Sequence, residues 1–307
     1  MIPRRRSAVL LAPALLAAAA CATGGYKTKP QVGVADGDPI VQMAPADKFK
    51  NLEDPSSVPL KDHSDPPFRG EKVVGVDIAE HARMYPIGLL NTYEVVNDDA
   101  GGVPYVVARC PLTDISAVFD RRVGGQTLTF ENSGALWRDT LVFRDKETGS
   151  YWTPATGEAI LGPLTGQTLA GIPAPLTTAE AWRELEPDTL CLETGDLTAV
   201  SFQMRIYAGS SWEGVSGEKT QDKRFEPKER MFYVDAGGEA VAFTGAQLQK
   251  KKKVDTTLAG SAITLEWDTG VRAPRAYRHE GDARKEVPVV PAYWFAVTRL
   301  FKTVKTL

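Results

Sequence analysis

The chain has 307 residues, 43% of them hydrophobic and 24% charged, which excludes a wholly disordered chain, a collagen-like repeat and a polytopic membrane protein. Its 36 Lys and Arg against 39 Asp and Glu leave no basic excess of the kind a general nucleic-acid binder needs, so nucleic acid is not an expected partner. Three cysteines and three histidines are too few for a disulfide scaffold or a zinc ribbon, and neither a metal nor another cofactor is expected.

At the start of the chain, Arg4, Arg5 and Arg6 precede an uncharged Ala- and Leu-rich run from Ser7 to Ala20. That run is too short to cross a bilayer and reads as an export signal over residues 1–20. With Ala18-Ala19-Ala20 before Cys21, the segment resembles a bacterial lipoprotein signal, which implies that Cys21 is acylated and serves as a lipid anchor. Ala18 stands where such signals usually carry Leu, so plain cleavage after Ala20 is the alternative. Ala22, in place of the Asp that holds such proteins at the inner membrane, points to the outer membrane facing the periplasm. From Ala22 to about Gly70 there is no periodicity, and Pro30, Pro39, Pro45, Pro55, Pro59, Pro66 and Pro67 interrupt the chain. Residues 21–70 are therefore expected to be a flexible tether, with His63 a solvated loop residue.

The folded part begins near Lys72. Strands are predicted at Val73–Ile78 and Ala82–Tyr85, a short helix at Ile87–Asn91, and a hairpin from Glu94–Asn97 into Val103–Arg109. Further strands follow at Ile115–Arg121, Thr127–Glu131, Thr140–Arg144 and Ser201–Ile206. Thr177-x-x-Glu180 is a capping box opening a helix over Ala179–Leu185 that carries Trp182. Pro291 is expected to start a second helix, Ala292–Phe301, whose core stripe includes Trp294. Sliding the chain by 158 positions lays Val76-Asp77 on Val234-Asp235, Leu90 on Leu248 and Gly102 on Gly260. The fold class this predicts is β-rich α+β, built as two related halves of strands and hairpins, each closed by a short Trp-bearing helix. The first half runs 71–195 and the second, degenerate half 196–307. Residues 133–175 have no counterpart in the second half, and their Gly-, Thr- and Trp-rich composition reads either as ligand-facing loops or as hairpins whose turns need Gly.

A series of short motifs then brings a resemblance. Arg83-Met-Tyr-Pro86, Leu90-Asn91, Glu94-Val-Val-Asn-Asp98, Cys110-Pro-Leu112, Phe119-Asp-Arg121, Thr127-Leu-Thr-Phe130, Ser133-Gly134, Leu141, Asp145 to Ser150, Trp152, Thr156-Gly157 and Gly162-Pro-Leu-Thr-Gly166 follow one another in order. Over roughly Glu71 to Leu192 the chain resembles the bacterial domain of unknown function (DUF) 3179 family. The resemblance implies no defined activity, although selenoproteins among its members point to selenol or thiol chemistry in the family. Two departures matter. Many members carry His where this chain has Tyr93, and a second cysteine where it has Thr113. A metal site or redox pair built on those positions is therefore not expected here.

Cys110 is the sharpest candidate, a lone thiol at the end of a predicted strand. It is a buried inert cysteine, a reactive thiol, or half of a disulfide with Cys191. With it, Tyr93 and Glu94 are the candidate catalytic groups, since both can exchange protons when desolvated. Arg83, Tyr85, Asn97, Asp98 and Trp152 are the candidate ligand-binding residues, with a hairpin turn and cross-strand pairing as the structural alternative for the polar ones. Two functions follow. One is an envelope lipoprotein that binds a small molecule or envelope component in a first-half pocket capped by residues 133–175. The other is a thiol-dependent redox enzyme using Cys110.

Overall fold

The computed structural model describes Tyr26 and residues 29–62, 70–192 and 198–307. The expected signal, the Cys21 anchor and His63 lie outside the described residues. The chain opens with a hairpin of β1 (Gln31–Ala35) and β2 (Asp38–Gln42), then short strands β3 (Leu52–Glu53) and β4 (Ser57–Pro59). A hairpin of β5 (Lys72–Ile78) and β6 (His81–Pro86) leads through the single turn α1 (Ile87–Leu90) into a meander of β7 (Val95–Ala100), β8 (Val103–Cys110) and β9 (Ile115–Asp120). After β10 (Arg122–Val123) and β11 (Gln126–Thr127) come β12 (Phe130–Trp137), β13 (Thr140–Asp145), β14 (Tyr151–Trp152) and β15 (Ala159–Leu161). The chain returns through β16 (Gly171–Ile172), β17 (Leu176–Thr178), α2 (Ala179–Leu185), β18 (Leu190–Leu192) and α3 (Thr198–Gly209).

The remainder is a hairpin of β19 (Arg230–Ala236) and β20 (Glu239–Thr244), then α4 (Gly245–Lys251) and a meander of β21 (Lys253–Leu258), β22 (Ser261–Asp268), β23 (Ala273–Glu280) and β24 (Ala283–Val287). It closes with β25 (Val290–Tyr293), α5 (Trp294–Leu300) and β26 (Thr303–Thr306). The fold is β-rich, with five α-helices among the described residues, none long and apolar enough to cross a membrane.

One five-stranded sheet, β16-β9-β8-β7-β3, positions the candidate site. Along β8 the side chains alternate: Val106, Ala108 and Cys110 join the largest core, with Phe130, Phe143, Trp152, Tyr233 and Trp294. Tyr105 and Val107 face the other way, against Val74, Val76, Tyr85, Leu89 and Leu90. Both faces are thus covered, which is why β8 and β9 read as almost unbroken apolar runs. A fully buried side chain such as Phe130 or Phe143 contributes about 1.5–3 kcal/mol by leaving water.

The two hairpins, and the meanders that follow them, keep the same registers. Val73 opposes Pro86 in β5–β6, and Met231 opposes Thr244 in β19–β20. Cys110 opposes Ile115 in β8–β9, and Asp268 opposes Ala273 in β22–β23. The returning strands agree as well: Thr178 on β17 opposes Lys72, and Tyr293 on β25 opposes Arg230. In each case the next strand, β18 or β26, then runs parallel to the hairpin's second strand. Buried Trp182 lies in α2, and buried Trp294 begins α5.

Several expectations are corrected. Residues 31–59, read as tether, contain four strands: β2 pairs with β12, β3 with β7 and β4 with β18. Their order comes from main-chain pairing with distant strands, which no local periodicity reveals. Pro39 is tolerated because the β2–β12 ladder starts at Ile40. Segment 201–206, read as a strand from its alternating polar and apolar residues, lies in helix α3. Pro291 sits in β25 opposite Phe232, and the helix starts at Trp294 instead. For residues 133–175 the structure fits the hairpin alternative and not the ligand-facing loops: β12 pairs with β13 and β14 with β15, within the six-stranded sheet β1-β2-β12-β13-β14-β15.

Candidate functional site

Between this five-stranded sheet and the six-stranded one lies a cavity of about 50 Å³, room for a few water-sized groups. Glu94, Cys110, Asn132, Leu141, Met204 and Val215 are among its lining residues. The Cys110 thiol is 1% exposed and free, accepts the Leu141 N–H at 3.2 Å and points its weak donor at the Asp139 carbonyl, 3.9 Å away. Burial pushes its pKa up, and the neighbouring Glu94 adds to the shift. Cys191 is also buried and free, in a separate cluster with Met84, Trp182 and Val73, and burial pushes its thiol up to about 12. The expected disulfide alternative is therefore not formed.

Glu94 is the second group of the cavity. Burial raises its pKa to about 8, against the opposing pull of the Asn132 hydrogen bond and the Arg109 charge. Near neutral pH it is an uncharged acid that both donates and accepts. Asn132 Nδ2 donates to Glu94 Oε2 at 2.9 Å, and Asn132 Oδ1 accepts the Gly134 N–H at 2.8 Å. That last contact sits in a β-bulge between Asn132 and Ala135. Gly134 has φ +72°, and a Cβ there would meet the Ala44 carbonyl at 2.0 Å, so only glycine fits.

Arg109 points to the opposite face of β8, as strand alternation requires, and does not activate the thiol. Its Nε donates to Asn91 at 2.8 Å, Nη1 to Ser116 at 2.8 Å and Nη2 to Asp114 at 3.0 Å. Asp114 also takes Arg230 of β19, which ties the first meander to the β19–β20 hairpin. Burial would raise the Asp114 pKa, but the two guanidiniums outweigh it and the net shift is downward. Asp139 stands behind the lining and fixes Val215: its Oδ1 accepts the Val215 and Ser216 N–H groups at 2.7 and 2.8 Å, and Oδ2 accepts Arg299 at 2.5 Å.

The remaining predicted residues go elsewhere. Arg83, Tyr85 and Asp98 assemble on the other face of the sheet. Tyr85 donates to Asp98 Oδ2 at 2.6 Å and shares a short hydrogen bond with Tyr105, while Arg83 lies 3.7 Å from the same carboxylate. Asn97, one residue from Asp98, faces the other way and clasps the Phe130 backbone, donating to its carbonyl at 2.7 Å and accepting its N–H at 2.8 Å. The reading that grouped Asn97 with Asp98 is corrected by that alternation. Tyr93 packs at the edge of the Tyr85 core, outside the cavity lining. Trp152, expected to wall a cleft, is fully buried, edge-on to Phe130, with its indole N–H on Asp145 Oδ2 at 2.8 Å. Of the eight candidates, only Cys110 and Glu94 share the cavity. Asn132, Asp114 and Asp139 were missed. For Asn132, the signal was the glycine two residues later inside a strand.

A neutral acid, a neutral amide and a protonated thiol make a small cavity able to exchange hydrogen bonds with an uncharged polar group, but not a poised thiolate. Among the described residues, no group of three or more His, Cys, Asp or Glu can hold a metal ion. No curated protein and no solved structure matches the chain. The sequence model of the protein family of unknown function DUF3179 does match, over residues 46–299. The match begins before β3 and runs through most of α5, so it takes in β3, β4 and both meanders, well beyond the Glu71 to Leu192 of the motif run. The chain belongs to the DUF3179 family.

Proposed function

We propose that this protein is a lipid-anchored envelope protein, held at the periplasmic face of the outer membrane through Cys21, that binds a small uncharged group in the Cys110 cavity. The observation that carries the binding reading is the convergence of Glu94, Asn132 and Cys110 on one cavity, all three buried. Buried polar groups cost stability unless they are satisfied, so a cavity that keeps three of them together has a use for them. We read the chain as two related halves, each closed by a Trp-bearing helix, in which the second buttresses the first. The shared ladder registers support this reading, and they draw the extra segment of the first half between β9 and β16.

A thermal-shift screen of small neutral molecules on wild type, Cys110→Ser and Glu94→Gln tests the binding reading. A compound that stabilises wild type and loses its effect in a variant binds at the cavity. Stabilisers that act equally on all three bind elsewhere, and the reading fails. The anchor is tested by labelling cells with a fatty-acid analogue: wild type takes up label and Cys21→Ser does not. The redox alternative keeps one observation in its favour, a free thiol on a cavity wall. It requires Cys110 to react in the folded protein.

A further inference from the structure

A larger cleft, of about 440 Å³, opens between the turn Thr153–Glu158 and the β19–β20 turn. It shares no lining residue with the Cys110 cavity. Its first wall is rigid. The Thr153 N–H reaches the Glu158 carbonyl at 3.0 Å, Gly157 N–H returns to Thr153 at 2.9 Å, and Tyr233 Oη holds the Ala155 carbonyl at 2.8 Å. The second wall is Asp235 with Gly237 and Gly238.

The charges on this cleft do not balance. Asp36, Glu158 and Asp235 line it, and no Lys or Arg does. Asp36 is compensated from outside by Arg138 at 3.7 Å. Among the described residues, Glu158 and Asp235 have no ion pair. The half-buried Asp235 feels Arg278 only as a longer-range field, and burial outweighs that field and its own backbone hydrogen bond to hold its pKa near 6. Thr156, on the same lining, keeps a buried Oγ1 without a hydrogen-bond partner, and Thr153 and Thr168 add two more hydroxyl side chains. A half-buried carboxylate without an ion-pair partner and an unused hydroxyl are groups that a ligand's donors would satisfy.

We propose that this cleft is a second binding site and that it takes a small hydroxylated amine. The ammonium is held between Asp235 and Glu158, and the ligand's hydroxyls meet the threonines and the turn backbones. Charge-assisted hydrogen bonds to the ammonium supply most of the affinity, and the pre-formed wall limits the ordering cost.

Isothermal titration of the full chain with glucosamine, glucose and N-acetylglucosamine tests this. All three sugars carry hydroxyls, and only glucosamine carries an ammonium. Glucosamine binds. Glucose and N-acetylglucosamine bind at least roughly tenfold more weakly. Asp235→Asn, a near-isosteric change whose folding is checked by its melting curve, costs glucosamine roughly tenfold, and Glu158→Gln costs a few-fold. Lowering the pH from near 7 to near 5 weakens glucosamine binding to wild type by roughly tenfold as Asp235 takes up a proton, and this fall is absent in Asp235→Asn. The groups facing Asp235 in that titration are Glu158 and Asp36 across the cleft, Arg138 behind Asp36, Tyr233 two residues away on β19, and Arg278 on β23. No binding of glucosamine, equal binding of all three sugars, or full affinity in Asp235→Asn overturns the proposal.

Discussion

Cys110 and Asp268 stand at matching points of two meanders with the same strand registers, yet their surroundings have little in common. Around the first meander the chain buries Glu94, Asn97, Asp98, Arg109 and Asp114, each below 9% exposure. In the second the buried residues are chiefly Val234, Val241, Phe243, Leu248, Leu258, Ile263 and Leu265, with Thr264 as the buried polar one and no buried charged group among the described residues of its strands. Asp268 itself lies at the partly exposed surface, 2.7 Å from Arg275. The same strand registers can therefore be filled either way, so the polar core of the first meander is not demanded by its registers. It costs desolvation that only complete pairing offsets, and such departures from plain packing mark the places where function is expected.

The contrast breaks or holds first on Asp114. Removing it as Asp114→Ala leaves Arg109 and Arg230 facing each other without a counter-charge, and the expected loss is about 3–5 kcal/mol in urea unfolding. The matching residue of the second meander, Arg272, pairs with Glu184 at 2.5 Å with both side chains more than half exposed, and Arg272→Ala costs under about 1 kcal/mol. Equal losses would mean that the polar core carries no special weight. The pH dependence has a definite sign. Asp114's folded pKa is depressed, so its contribution is full above about pH 4 and is lost as pH falls through the lower folded value.

Glu94 is expected to act in the opposite direction. Its folded pKa of about 8 lies above the unfolded value, so between about pH 4.5 and 8 the folded state holds a proton that the unfolded state has released. Wild-type stability therefore declines across that window. Glu94→Gln keeps the neutral shape, raises stability at pH 8 on the order of 3 kcal/mol and has little effect near pH 4. Unfolding curves at both pH values decide it. A wild type whose stability is flat across the window would place a charged carboxylate in the cavity.

How much of this could be read beforehand depended on where each signal lies. The strands of both meanders announce themselves through alternation and Gly- or Asp-rich turns, as at Asn97 to Gly102; α2 was legible too, but its cap is Thr178, which accepts the Ala181 N–H at 3.2 Å, and not the expected Thr177, whose hydroxyl goes to the Val271 carbonyl. Glu94 and Cys110 were legible as neighbours because one β-hairpin joins them: the Arg109 N–H bonds the Glu94 carbonyl at 2.8 Å. Asn132 and Asp139 were not, because a different sheet brings them in. Strands β1 to β4 were illegible for the same reason, their order being supplied by partners far along the chain. Residues 201–206 misled because Phe202, Met204 and Ile206 alternate with polar residues, and tertiary context chose a helix over that pattern. Trp152 misled because Gly and Pro around it suggested loops, whereas they make the turns that let β14 bury its indole.

A smaller test concerns the hydroxyls of the Tyr85 cluster. Tyr85→Phe leaves Asp98 Oδ2 with only Arg83, 3.7 Å away, and is expected to cost about 1–2 kcal/mol. Phe243, the matching residue of the β19–β20 hairpin, is fully buried among apolar side chains, so Phe243→Tyr buries a hydroxyl with no partner and costs a comparable amount. If both changes are neutral by thermal unfolding, the two cores are interchangeable and their contrast says nothing about a site.

The last test is kinetic and concerns the two thiols. Burial raises the pKa of both, so at pH 8 only a small fraction of either is thiolate, and neither matches a denatured-state cysteine in speed. They differ in access. Cys110 lines the cavity beside Met204 and Val215, whereas Cys191 is enclosed by Met84, Val73 and Trp182. Titration of the folded protein with a small disulfide reagent should therefore modify Cys110 first, at a rate that keeps rising with pH and shows no plateau near neutrality. A plateau near pH 7 would mean a thiolate stabilised beyond what its neighbours can supply, and it would favour the redox reading over the binding one. Equal rates at the two sites would mean that reagent reaches Cys110 only when the whole fold opens. In that case the cavity is sealed in the resting protein, and a ligand has to enter by displacing Met204 or the Val215 segment that Asp139 holds in place.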